Sequence, residues 1–261
     1  MRTDRTPARD LIAAEWIKLS TIRSHRVVAA LGLASCVTVT LLLSRSTING
    51  WDRLTPGEQA DFDPLPASFG GHALLQLAVM LLSALAMSTE YSSGLVRTTF
   101  TAVPARRAVV AAKAAVVGTV ALVLGLTGAL GGFWISQALF STRHVGLSLT
   151  DPGALRAVTA SALHQVAAAL IGLALGALIR HGAGALTACF AFLFVSPLFL
   201  HGEHGVMLRV QQSLLGSSLH HLTINHPDPH GPSATAAWAS MLLQPLLALA
   251  LALLVVHRRE V

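Results

Sequence analysis

Six long apolar runs dominate this chain, and nearly all of its charge lies in the gaps between them. The runs are Val27–Leu43, Ala73–Thr89, Ala108–Phe140, Ala157–Ile179, Ala183–Leu200 and Ala236–Val256. A hydrocarbon core about 30 Å thick takes about 20 apolar residues in helix, and lipid offers unpaired backbone groups nothing to bond. The pattern predicts an all-α membrane protein. One domain of six transmembrane helices, residues 27–261, follows an N-terminal segment, residues 1–26. With the N-terminus placed inside, 13 of the 18 Lys and Arg residues become cytoplasmic: Arg2, Arg5, Arg9, Lys18, Arg23, Arg26, Arg97, Arg106, Arg107, Lys113, Arg180, Arg258 and Arg259. Arg45, Arg53, Arg143, Arg156 and Arg209 face out. The positive-inside rule then puts both termini in the cytoplasm.

The net charge of +6 would suggest nucleic acid in a soluble protein. Here the excess sits at the inner ends of spans, where it sets topology and meets anionic lipid, so no nucleic-acid partner is expected. Cys36 and Cys189 fall inside spans and read as small buried hydrophobes, with no disulfide framework. About 26 mostly polar residues precede the first run and no small-residue cleavage site follows it, so an uncleaved anchor is expected. Arg outnumbers Lys 16 to 2 among abundant Ala and Leu, a usage that suggests a GC-rich bacterial genome and hence a bacterial plasma membrane.

Between Pro7 and Ile22 the periodicity is helical, with Ile12, Trp16 and Leu19 on one face. The segment is too polar to span and reads as an amphipathic helix on the inner membrane surface. The outer segment 44–71 is acidic and Pro-rich, and reads as irregular. The third run is about 50 Å long as helix, so its first turns should project into the cytoplasm, leaving Lys113 to snorkel without a buried partner. A tight inner turn, Arg180-His181-Gly182, joins spans four and five, and a second outer segment, 201–235, precedes span six.

The inner loop 90–107 carries an acidic residue at the membrane exit, Glu90, and a Gly for a bend, Gly94. A short amphipathic piece follows (Leu95, Val96, Phe100, Val103), then Pro104 as a stop and the basic pair Arg106-Arg107. Such a loop can present a short helix to a cytoplasmic partner; a plain topogenic basic loop is the other reading. Glu90, Gly94, Arg97, Pro104, Arg106, Arg107 and Lys113 resemble the E-x-x-x-G-x-x-R, Pro and basic pattern of the permease subunits of ABC-2-type ABC exporters. The opening Ala14-Glu15-Trp16-Ile17-Lys18-Leu19-Ser20-Thr21-Ile22-Arg23-Ser24 is similar to the start common in bacterial members, E-W-x-K-L-x-T-x-R-S.

The resemblance implies the ABC-2 exporter fold, with loop 90–107 as the main coupling element docked on an ATPase. Glu90, Gly94, Leu95, Val96, Arg97, Phe100, Pro104, Arg106 and Arg107 would carry that contact, with Arg180-His181-Gly182 as a minor one. It also implies an outer helix over Val206–Leu215 dipping into the membrane, although Arg209 makes deep insertion costly. The chain has no G-x-x-x-x-G-K-[ST], and neither Lys18 nor Lys113 lies in a Gly-rich turn. It is therefore not an enzyme by this reading: ATP and Mg²⁺ belong to a separate ATPase subunit, and the chain itself carries no cofactor. Six spans make half of a twelve-span pathway, implying a second copy or a related permease. The expected function is export of a hydrophobic antibiotic, peptide or lipid-like compound. A stand-alone secondary carrier or channel is the alternative, and a non-transport membrane scaffold a third.

Gln76, Gln137, His164, Gln165 and Gln244 fall in the outer half of the spans. They either bond across helices or line a substrate pathway. Gln244, His164 and Gln165 should lie at matching depth, where such groups can meet across the bundle or a dimer seam, and Pro245 should kink span six. His201, His204, His220, His221, His226 and His230, with Glu203 and Asp228, crowd the last outer segment. Their spacing matches no closed metal motif, and no metal site is assigned.

Overall fold

The computed structural model describes residues 7–95, 106–200, 205–225 and 231–258. Among them every regular element is helical. Ala8–Thr21 (α1) is followed by Arg23–Gly50 (α2), the short Pro56–Ala60 (α3) and Pro64–Ala67 (α4), His72–Ser92 (α5), Arg106–Phe140 (α6) and Ala154–Ile179 (α7). Gly182–Phe190 (α8) leads through a π turn, Ala191–Val195, into Ser196–Phe199 (α9). Gly205–Ser213 (α10), Leu215–Thr223 (α11) and Ala234–Arg258 (α12) complete the order. Six helices are long and apolar enough to cross a membrane: α2, α5, α6, α7, α8 with its continuation, and α12.

The bundle is built around α5 and α7, the two most buried spans. Gly172 and Gly176 bring their backbones together: a Cβ on either would overlap the carbonyl of Met80 or Ala84. In lipid, close backbone approach through small residues replaces the hydrophobic drive that binds helices in water. The same device seats α6 on α7, where a Cβ on Gly125 would lie 2.8 Å from the Ala162 carbonyl, and α2 on α5, where Gly32 faces Ala78. The least buried spans, α2, α8–α9 and α12, expose aliphatic side chains that include Leu31, Leu198, Leu247 and Leu251.

At the end of the bundle opposite α1, segment 44–71 is more ordered than its composition suggested. α2 runs on to Gly50, and Thr55 and Glu58 form a capping box that starts α3. Trp51, Phe62 and Phe140 stack edge to face at 5.3 Å, and Arg143 grips Asp52 with two 2.8 Å bonds. The aromatic and bidentate contacts supply the enthalpy that an irregular loop lacks. The helix expected over Val206–Leu215 breaks at Leu214, whose extended backbone separates α10 from α11. Span five is interrupted where Pro197, lacking an N–H, cannot continue the ladder, and the widened turn lies just upstream. α12 runs on through Pro245.

Val96, Arg97, Phe100, Val103 and Pro104 of the expected coupling loop lie outside the described residues, as do His201, Glu203, His204, His226, Asp228 and His230.

Candidate functional site

Glu15, Lys18 and Leu19 fall three and four residues apart on α1, so they share the face turned to the bundle. Glu15 and Leu19 are buried, while Ile12, Trp16 and Ile17 stay exposed. The sequence put Ile12, Trp16 and Leu19 together, but the helix turns so that a carboxylate, not Ile12, enters the core beside Leu19.

That carboxylate has partners. Lys113, in the second turn of α6, donates from Nζ to Glu15 Oε2 and, at 3.0 Å, to Glu90 Oε1 in the last turn of α5. Lys18 Nζ donates to Glu15 Oε1 at 2.7 Å and to Glu90 Oε1 at 3.0 Å. Two carboxylates and two ammoniums thus close a ring of four charge-assisted bonds with zero formal charge. Glu15, Glu90 and Lys113 are 5%, 7% and 4% exposed. Burial by itself would lower the pKa of Lys18, but its bonds to Glu15 and Glu90 outweigh that and raise it above the usual 10.5. Removing charge from water is costly, so such a group persists only where every member is paired.

The expectation that Lys113 snorkels alone is therefore corrected: it is buried and doubly paired. Its position in an apolar stretch was the signal, since a charge there calls for a partner. Glu15 and Glu90 were in view, but nothing local in the sequence connects residues 98 positions apart. A cavity of about 200 Å³ adjoins the ring, lined by His25, Thr89, Ser93 and Leu95 among others.

Beside the ring, α5 ends at Ser92 and Gly94 takes φ +73°, the left-handed bend that Gly adopts freely. Leu95 follows, half exposed. Arg180, itself at φ +59°, lays its guanidinium 4.8 Å from the centre of the Tyr91 ring. The α7–α8 turn thus packs on the end of α5, next to the start of the expected coupling loop. His181 Nδ1 accepts from Gly184 N and caps α8. Arg106 opens α6, and Arg107 is exposed.

No hydrogen bond links the five polar residues of the spans to one another. Gln137 bonds Ser68 Oγ at 2.9 Å and accepts from Leu147 N at 2.8 Å, tying the loops at the far end. Gln165 donates to the His72 carbonyl at 3.3 Å, and both Gln165 and His164 are fully buried. Gln244 donates instead to the carbonyls of Ser213 and Ser240, so no hydrogen bond joins it to His164 or Gln165. Gln76 lines a cleft of about 530 Å³ between the π turn and the α10–α11 hairpin, with His220 and His221. Among the described residues no three His, Cys, Asp or Glu side chains come together as a metal site.

No protein-family model matches this chain, and no curated protein sequence matches it.

Proposed function

We propose that this chain is the membrane-spanning permease subunit of a bacterial ATP-binding cassette exporter of the ABC-2 type. α1 lies on the inner face of the plasma membrane, with both termini in the cytoplasm. A separate ATPase subunit supplies ATP hydrolysis, and a second copy or a related permease completes the pathway for a hydrophobic antibiotic, peptide or lipid-like compound. One observation carries this reading. Glu15 and Lys18 of the opening motif, Glu90 of the loop motif and Lys113 beyond it form a single ring, buried at all members but Lys18, so two motifs far apart in sequence act as one structural unit. The Arg180 turn packs on the same end. A force applied to the loop after Gly94 meets α1, α5 and α6 together, which is what coupling to an ATPase requires.

The test is purification from native membranes. The chain should bring with it a P-loop ATPase polypeptide, and Phe100→Asp should lose that polypeptide while remaining membrane-inserted. Retention by Phe100→Asp places the docking surface elsewhere. No ATPase with the unaltered chain overturns the exporter reading.

A further inference from the structure

Beneath α1 runs a crevice of about 120 Å³ whose walls are apolar: Trp16 and Leu19 from α1, Ala29 from α2, Leu82 from α5 and Val120 from α6. His25 and Leu19 line both this crevice and the cavity beside the ion ring, and so form a wall common to the two. His25 is 4% exposed, and its Nδ1 has no hydrogen-bond partner. A buried polar atom without a partner costs free energy, so a ligand atom that bonds it is favoured. Arg26 stands at the rim of the crevice, exposed, with Arg23 three residues before it on α2. Neither forms an ion pair among the described residues. Lys18 and Lys113, by contrast, are spent on Glu15 and Glu90.

We infer that this crevice is a binding site for one anionic phospholipid. Arg26 holds the phosphate, His25 in its Nδ1–H tautomer donates to a phosphate or ester oxygen, and one acyl chain lies along Leu19, Ala29, Leu82 and Val120. The guanidinium fork matches a phosphate with two parallel bonds, and the unpaired charges at Arg23 and Arg26 favour an acidic headgroup over a zwitterionic one. The apolar walls reward each methylene they cover. A bound lipid thereby wedges α1 against α2, next to the ring that pins α1 to α5 and α6. The inference rests on the proposed placement of α1 at the inner membrane surface.

Native mass spectrometry of the purified chain in neutral detergent, titrated with phosphatidylglycerol or phosphatidylcholine, tests it. Phosphatidylglycerol should bind about tenfold more tightly, because the choline cation of phosphatidylcholine competes with Arg23 and Arg26 for the same phosphate. Arg26→Gln, at an exposed position with no ion pair among the described residues, should erase that preference. Ala29→Trp should fill the crevice and weaken both lipids. Arg45→Gln, exposed at the opposite end of the bundle, should change nothing. Unaltered selectivity in Arg26→Gln, or an equal loss in Arg45→Gln, overturns the site in favour of general charge attraction. Labelling of a cysteine at Ser93 from outside intact cells, with selectivity still dependent on Arg26, would instead keep the site and reverse the proposed orientation.

Discussion

Lys113 carries the sharpest residue-scale consequence. Replacing it with Met leaves Glu15 and Glu90 buried with one ammonium between them, and breaking a buried pair in this way costs about 3–5 kcal/mol. Lys18 is one-third exposed, so water substitutes for its ammonium and Lys18→Met should cost about 1 kcal/mol or less. Thermal unfolding in mild detergent should show a large fall for the first variant and a small one for the second. Adding Glu15→Leu to Lys113→Met removes the stranded charge and should recover much of the loss. Equal effects from the two lysines would mean that the ring is solvated and not buried. The sequence displayed each of these charges but not their meeting, because pairing across three helices depends on how α1 rotates, and that rotation follows from Leu19 and the packing of α6.

For the helices, sequence legibility was high. The third run, read as Ala108–Phe140, is the helix Arg106–Phe140, and the fourth, read from Ala157, starts at Ala154. Twenty apolar residues leave few alternatives in lipid. What stayed hidden was which helices form the centre, since every run is apolar enough to span and the close contacts depend on where glycine falls. Gly172 and Gly176, one turn apart, mark the α7 face that meets α5. Gly172→Leu should force α5 and α7 apart and cost about 1–3 kcal/mol, read as a lower unfolding midpoint. Gly131→Leu, where a side chain meets open space, is the matched control and should leave the midpoint nearly unchanged. An unshifted midpoint for Gly172→Leu would separate the two backbones. The break at Leu214 and the π turn before Pro197 were also beyond the pattern, because local backbone choices there answer to contacts and not to periodicity.

At the scale of the whole molecule, orientation is the property the amino-acid pattern addresses most directly, through the excess of Arg and Lys at the α1 end. Single cysteines at Ala60 and Gly216, both exposed, should react with an impermeant maleimide added to intact cells, and one at Ser93 should not. Cys36 and Cys189 are buried and give little background. Reaction at position 93 alone would invert the topology. The ring at the α1 end also fixes an order of assembly. Glu15 leaves the ribosome 98 residues ahead of Lys113, about 5–20 s at ordinary synthesis rates. During that wait its carboxylate has Lys18, one turn on, as its partner, and Glu90 arrives before the second ammonium does. α1, made ahead of its partners, is therefore secured late, and it acts as a clasp that closes only after α2 and α5 are complete and α6 has begun.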